Sequence, residues 1–306
     1  MSSLRPIFAK TMLNLAEVDE ELIVIVGDIS HGLFGEFRKS FPNRYFNIGI
    51  CEPAMVGVAS GMSKIGLKPV VHTIAPFLIE RAYEQIKIDF GYQKLSGNFV
   101  SVGSAFDYSK LGCSHHSYAD VSLISHIPNS QVFLPGSPVE FEVLFKEAYA
   151  QEKINYFRLT ENSHDVEVER KSIKVGKGIK IREGTHVTFI TTGAMLRNCM
   201  LAADELENLG QSVEILYFPT IKPFDSDLAR ESLRKTRKFI SVEEMSSQDG
   251  LYNLVLKATM GVVRIKGQQL AIREFLSGYG TYGEIQDRAG LSVRHILDAA
   301  RRLGDN

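Results

Sequence analysis

Short runs of β-branched and aliphatic residues alternate along this chain with longer segments whose apolar positions recur every three to four residues. The first kind suits buried strands and the second suits amphipathic helices, and their alternation predicts parallel sheets flanked by helices, an α/β fold. In the first half the strands fall at Leu22–Val26, Tyr45–Ile50, Pro69–Thr73, Asn98–Val102, Gln131–Leu134 and Asn155–Leu159. Helices fit between them at Arg5–Val18, Pro53–Ile65, Pro76–Tyr92, Tyr118–His126 and Pro138–Gln151. From Glu161 to Gly184 the chain is polar and weakly periodic, which reads as a linker with a short strand or two. A second, smaller α/β unit follows. Its strands are His186–Thr192, Val213–Phe218, Phe239–Val242 and Leu270–Glu274, and its helices Met195–Leu209, Ser226–Arg234 and Gly250–Met260. The predicted division is a first domain over 1–165, a linker over 166–184 and a second domain over 185–306.

With 306 residues, two cores are expected rather than one. A formal charge of −1 gives no electrostatic reason to expect nucleic acid or an anionic membrane as partner. No apolar run reaches membrane-spanning length, and Met1-Ser2-Ser3-Leu4-Arg5-Pro6 lacks the apolar core of a secretory signal, so a cytoplasmic location is expected. Three widely spaced cysteines, Cys51, Cys113 and Cys199, suit reduced thiols better than a disulfide frame or a zinc cluster.

The corner Ile48-Gly49-Ile50-Cys51-Glu52-Pro53 concentrates the chemical information. Pro53 fits the first turn of a helix, which puts Glu52 at or next to the N-cap, where free N–H groups and the helix dipole stabilise a carboxylate. A structural cap is the plain reading of such a residue. Against it stands the small-sided sequence Val56-Gly57-Val58-Ala59-Ser60-Gly61, which lets another backbone or a flat ring come close. Open α/β sheets also place ligands beyond the carboxyl ends of their strands, where Glu52 lies.

The run Phe41-Pro42-Asn43-Arg44-Tyr45-Phe46-Asn47-Ile48-Gly49-Ile50-Cys51-Glu52-Pro53 resembles the pyrimidine-binding domain of transketolases and deoxyxylulose phosphate synthases. The resemblance continues through Thr73-Ile74-Ala75-Pro76-Phe77, Arg81 to Ile86, Gly112-Cys113-Ser114-His115-His116 and Ile127-Pro128-Asn129, with Pro135 and Glu140. Further on, Phe218-Pro219-Thr220-Ile221-Lys222-Pro223-Phe224-Asp225 and Val242-Glu243-Glu244 look like the transketolase C-terminal domain. What this implies is a thiamine diphosphate enzyme. The glutamate matching Glu52 hydrogen-bonds a ring nitrogen of the aminopyrimidine and favours the imino tautomer, whose exocyclic nitrogen takes the thiazolium C2 proton. Phe77 matches the ring that stacks on the pyrimidine, and Ile74 stands where a second aromatic is common, giving that wall an aliphatic surface. Asp28 matches an aspartate near the cofactor and the boundary between subunits. Arg81 matches an arginine that is either an ion-pair partner or a cofactor contact. His115 matches the histidine that bonds substrate or the exocyclic nitrogen, with His116 as the neighbour that a one-residue shift would substitute, and Arg5 matches an arginine near the acceptor channel.

Two departures from the family pattern shape the expectation. Leu111, Gly103 and Glu161 stand where sugar-phosphate transketolases carry an aspartate, a histidine and a phosphate-binding arginine. A dianion needs charge-assisted donors, so the substrate is expected to be a modified ketose or aldehyde, unphosphorylated or carried on a larger group. The Gly-Asp-Gly and Asn pattern that holds Mg²⁺ and the diphosphate is also missing. The resemblance therefore implies the C-terminal subunit of a split transketolase, in an α2β2 assembly whose N-terminal partner supplies that half, transferring a two-carbon ketol unit from a ketose to an aldose. Two other readings share the fold: the β subunit of a 2-oxo acid dehydrogenase or another decarboxylating thiamine enzyme, and a catalytically silent assembly subunit.

Overall fold

The computed structural model describes residues 3–262 and 264–304, so Met1 and Ser2 of the N-terminal hexapeptide lie outside the described residues. Twelve strands are present among these residues: β1 (Leu22–Val26), β2 (Tyr45–Asn47), β3 (Lys68–Ile74), β4 (Gly97–Val102), β5 (Ser130–Phe133), β6 (Ile154–Leu159), β7 (Ile179–Arg182), β8 (Val187–Thr191), β9 (Val213–Tyr217), β10 (Thr220–Lys222), β11 (Lys238–Ser246) and β12 (Lys266–Ile272). They form a seven-stranded sheet in the order β10-β5-β6-β4-β3-β1-β2 and a five-stranded sheet in the order β12-β11-β8-β9-β7. All neighbours are parallel except β10 on β5 and β7 on β9. Every residue of β1, β4, β5, β6, β8 and β9 is buried, as strands covered by helices on both faces must be.

Several predicted boundaries shift for local reasons. The second strand stops at Asn47 rather than Ile50, because Gly49 turns the chain with a φ of 78° and the next helix begins at Glu52. The predicted single helix Pro76–Tyr92 is two widened π-helical stretches, Pro76–Glu80 and Ile86–Tyr92, around a short α turn at Tyr83–Gln85. Such widened turns recur at functional sites. Three helices, Gly35–Ser40, Tyr282–Arg288 and Val293–Gly304, and strand β10 were absent from the expectation. The predicted Leu270–Glu274 strand begins earlier, at Lys266.

Buried polar bonds tie the two lobes together. Glu140 accepts hydrogen bonds from Gly136 N (2.7 Å), Tyr217 Oη (2.6 Å) and His164 Nε2 (2.8 Å), which joins the first lobe, the connecting segment and the second lobe. Lys222, at the end of β10, donates to the carbonyls of Ser125 and Ile127 and to Ser130 Oγ. Arg158 donates to Asp120 Oδ1 at 3.1 Å and across the interface to the Glu244 carbonyl at 3.0 Å.

Two carboxyl groups at this interface have raised pKa values. Burial, then the charge of Asp107, pushes the Glu244 carboxyl up to about 8, and burial pushes Asp107 up to about 6. Unfolded, both titrate near pH 4, so the stability that they contribute is complete below about pH 4 and is lost as pH rises through the folded values. Urea unfolding between pH 4.5 and 8.5 should show Glu244→Gln gaining stability relative to wild type as pH rises, by on the order of a few kcal/mol. A pH-independent difference would show that Glu244 is ionised in the fold.

Candidate active site

The helix Glu52–Lys64 starts where β2 turns out of the sheet, with Cys51 as its N-cap. Glu52 is therefore the first helical residue, and its side chain is only 1% exposed. One carboxylate oxygen accepts from Arg81 Nη1 at 2.7 Å, while the other receives only a long bond of 3.4 Å from Thr73 Oγ1. Arg81 is one widened turn after Phe77, and its guanidinium lies 4.2 Å from the centre of that ring. Phe77 meets His115 edge to face at 5.2 Å, and His115 in turn lies 6.2 Å from the ring of Tyr108. A continuous row results: Glu52, Arg81, Phe77, His115, Tyr108.

Gly112 brings His115 here. Its φ of 77° starts the single turn Cys113–His115, whose last amide donates to the Gly112 carbonyl, and Ser114 Oγ lies 3.0 Å from His115 Nδ1. His116 points elsewhere: it is 3% exposed, its Nδ1 is 2.7 Å from Tyr118 Oη, and burial followed by the nearby His115 lowers its pKa.

The remaining sequence candidates flank the row. Ile74 ends β3, half-buried, three residues before Phe77. Asp28 is exposed beyond β1, in a left-handed conformation with a φ of 55°, and is bonded to Asn47. Arg5 forms a 2.8 Å ion pair with Glu161. Glu161 is anchored by its backbone to the half-buried Asp107, which also accepts from Ser104 N, Thr160 Oγ1 and Asn162 Nδ2. Asp107, Tyr108, Thr73 and Asn47 are site residues that the sequence reading did not single out. Thr73 stood within a quoted motif, whereas an acid in an ordinary loop such as Asp107 gives no sequence signal.

The arrangement suits a flat, weakly basic heterocycle. Glu52 has one sparsely occupied oxygen to accept a ring N–H, and Phe77 offers a half-exposed aromatic face. Among the described residues no group of three or more His, Cys, Asp or Glu is placed to hold a metal ion.

Residues 1–165 match the family model for the transketolase pyrimidine binding domain, and residues 176–296 that for the transketolase C-terminal domain. The chain belongs to the transketolase family. More particularly, it is similar over nearly its whole length to subunits of split enzymes. It is 26% identical over 302 residues, 98% of the chain and 94% of the relative, to the 6-deoxy-6-sulfo-D-fructose transketolase subunit SqwH of Clostridium sp. (strain MSTE9). With one of the subunits of the apulose-4-phosphate transketolase of Actinobacillus succinogenes it shares 28% identity, covering 91% of the chain and 89% of the relative. The 1-deoxy-D-xylulose-5-phosphate synthase of Heliobacterium modesticaldum is 28% identical over 98% of the chain, which spans only 47% of that enzyme. Among solved structures, a split-gene transketolase described as an inactive beta4 tetramer superposes with a TM-score of 0.89 at 27% identity, over 99% of this chain and 98% of that one.

Proposed function

We propose that this chain is the pyrimidine-side subunit of a split, thiamine diphosphate-dependent transketolase that moves a two-carbon ketol unit from a ketose to an aldose. The observation that carries the reading is the row Glu52, Arg81, Phe77, His115, with a buried carboxylate at one end and an imidazole at the other. When bound, thiamine diphosphate supplies the electron sink for cleaving and forming the bond next to a carbonyl. Glu52 accepts from the pyrimidine ring, Phe77 and Ile74 pack on it, Arg81 holds Glu52 in place and Asp28 borders the cofactor. His115 serves the substrate oxygen, in preference to the inward-facing His116, and Arg5 lies toward the acceptor.

Exposed apolar side chains beside the site support a partner chain. Along the outside of the Glu52–Lys64 helix and its flanks, Ile50, Val58 and Ile65 are 73%, 42% and 77% exposed. Exposed apolar side chains along one element are what a partner's interface would cover. The N-terminal partner is assigned the Mg²⁺ and diphosphate half, in an α2β2 assembly. The cytoplasm is its proposed setting: the three cysteines are free and no helix among the described residues is long and apolar enough to cross a membrane.

For the substrate, the Arg5–Glu161 ion pair cancels the positive charge that a phosphate would need. Two relatives named for unusual ketoses, a sulfofructose and an apulose phosphate, also support a non-standard sugar. Co-purifying the chain with a partner carrying the Gly-Asp-Gly and Asn pattern provides the test. Neither chain alone should turn over ketoses; the pair should, with xylulose 5-phosphate and ribose 5-phosphate as poor substrates. Ordinary transketolase rates on those two sugars would overturn the substrate assignment, and release of carbon dioxide from pyruvate would overturn the reaction class.

A further inference from the structure

Two left-handed backbone positions sit side by side at the carboxyl ends of β1 and β2: Asp28, with a φ of 55°, and Gly49, with a φ of 78°. Left-handed backbone at a residue other than glycine is unfavourable unless something nearby holds it. One side chain holds both. Asn47, the last residue of β2, accepts from Asp28 N at 3.1 Å and from Gly49 N at 3.0 Å through the same carboxamide oxygen. Its amide nitrogen donates to Asp28 Oδ1 at 3.0 Å.

Beyond Gly49 the chain leads straight to the carboxylate. Cys51 N donates to the Gly49 carbonyl at 2.9 Å, and Met55 N donates to the Cys51 carbonyl at 3.0 Å, which closes the first turn of the helix that begins at Glu52. On the other side of the clamp, Gly27 packs so tightly that a Cβ there would lie 3.1 Å from Thr73 Cβ and Oγ1 and 3.5 Å from the Gly49 carbonyl oxygen. Thr73 is the second hydrogen-bond partner of Glu52. The Asp28 loop and the Gly49–Cys51 turn that leads into Glu52 are thus both referenced to one carboxamide.

We propose that Asn47 is the positioning residue of this site, a clamp that fixes the Asp28 loop and the Gly49–Cys51 turn against each other and so sets where the Glu52 carboxylate sits. The inference rests on the thiamine reading for the purpose of the clamp, though not for its existence. Asn47 is exposed, so its removal leaves the core untouched.

The test uses Asn47→Ala in two arms. In the full chain alone, amide hydrogen exchange followed by mass spectrometry should show the peptides covering 27–30 and 48–51 exchanging together about fivefold faster, with the rest of the chain unchanged. In the assembled pair, proton exchange at C2 of bound thiamine diphosphate should slow by about tenfold at saturating cofactor. Loosening of only one segment, of neither, or of the whole chain overturns the clamp. Joint loosening with C2 exchange at the wild-type rate overturns its role in positioning Glu52. A wild-type pair that shows no C2 exchange refutes the thiamine reading, and the first arm still decides the clamp.

Discussion

Replacing Glu52 by alanine should lower turnover of the assembled enzyme by about a thousandfold or more while leaving assembly intact, the scale of loss that follows removal of a proton-transfer partner. Glu52 is 1% exposed, and Arg81 and Thr73 are its hydrogen-bond partners. A carboxylate that served only as a helix cap would bond amides of its own first turn; this one is turned toward β3 and the Phe77 segment instead. Loss of a cap or of an ion pair to the half-exposed Arg81 would lower stability by about 1 kcal/mol and leave the rate per assembled site alone. Steady-state rates per assembled pair, measured beside a thermal melt, separate the two roles. A variant within tenfold of wild type would remove Glu52 from the chemistry and leave a silent assembly subunit as the better reading.

The largest effect on folding should come from Arg158→Ala, with a loss of about 3–5 kcal/mol. Arg158 projects from β6 with 3% exposure and meets Asp120, which has none. Truncation leaves Asp120 buried with, among the described residues, only the Tyr156 hydroxyl as a side-chain donor, and it removes the 3.0 Å bond to the Glu244 carbonyl that crosses between the lobes. An uncompensated buried charge is the expensive outcome, so the paired change Asp120→Asn with Arg158→Met should be milder than the single truncation. Urea denaturation of the three proteins checks the order. A single-variant loss under about 1 kcal/mol would mean that water reaches Asp120 and that the pair is weaker than its burial implies.

The alternation of apolar runs and amphipathic segments made the two parallel sheets legible, because strands such as Leu22–Val26 are apolar on both faces. Tyr282–Arg288 and Val293–Gly304 were missed although each carried a signal. Thr281 and Glu284 form a capping box, and buried Ile296, Leu297, Ala299, Ala300 and Leu303 recur at helical spacing. Strand β10 was not legible: three residues are too few for a period, and their partner is more than eighty positions away in sequence. At the site, Glu52, Phe77, Arg81 and His115 could be singled out from motifs, yet the order in which they touch could not. That order depends on the widened helix after Pro76, which no propensity announces. Asp107 and Asn47 each also bond an amide brought close by the fold, Glu161 N and Asp28 N, and those distant partners leave no mark in the local sequence.

Strand β10 lies in sequence among the elements of the second sheet, yet it forms the edge of the first. A cut anywhere between the lobes would strip β5 of that neighbour and leave its hydrogen-bonding groups open to pairing with other chains. For protein engineering, the portable unit is therefore the two lobes together: a first lobe lifted out alone would carry every site residue and still lack its own finished border.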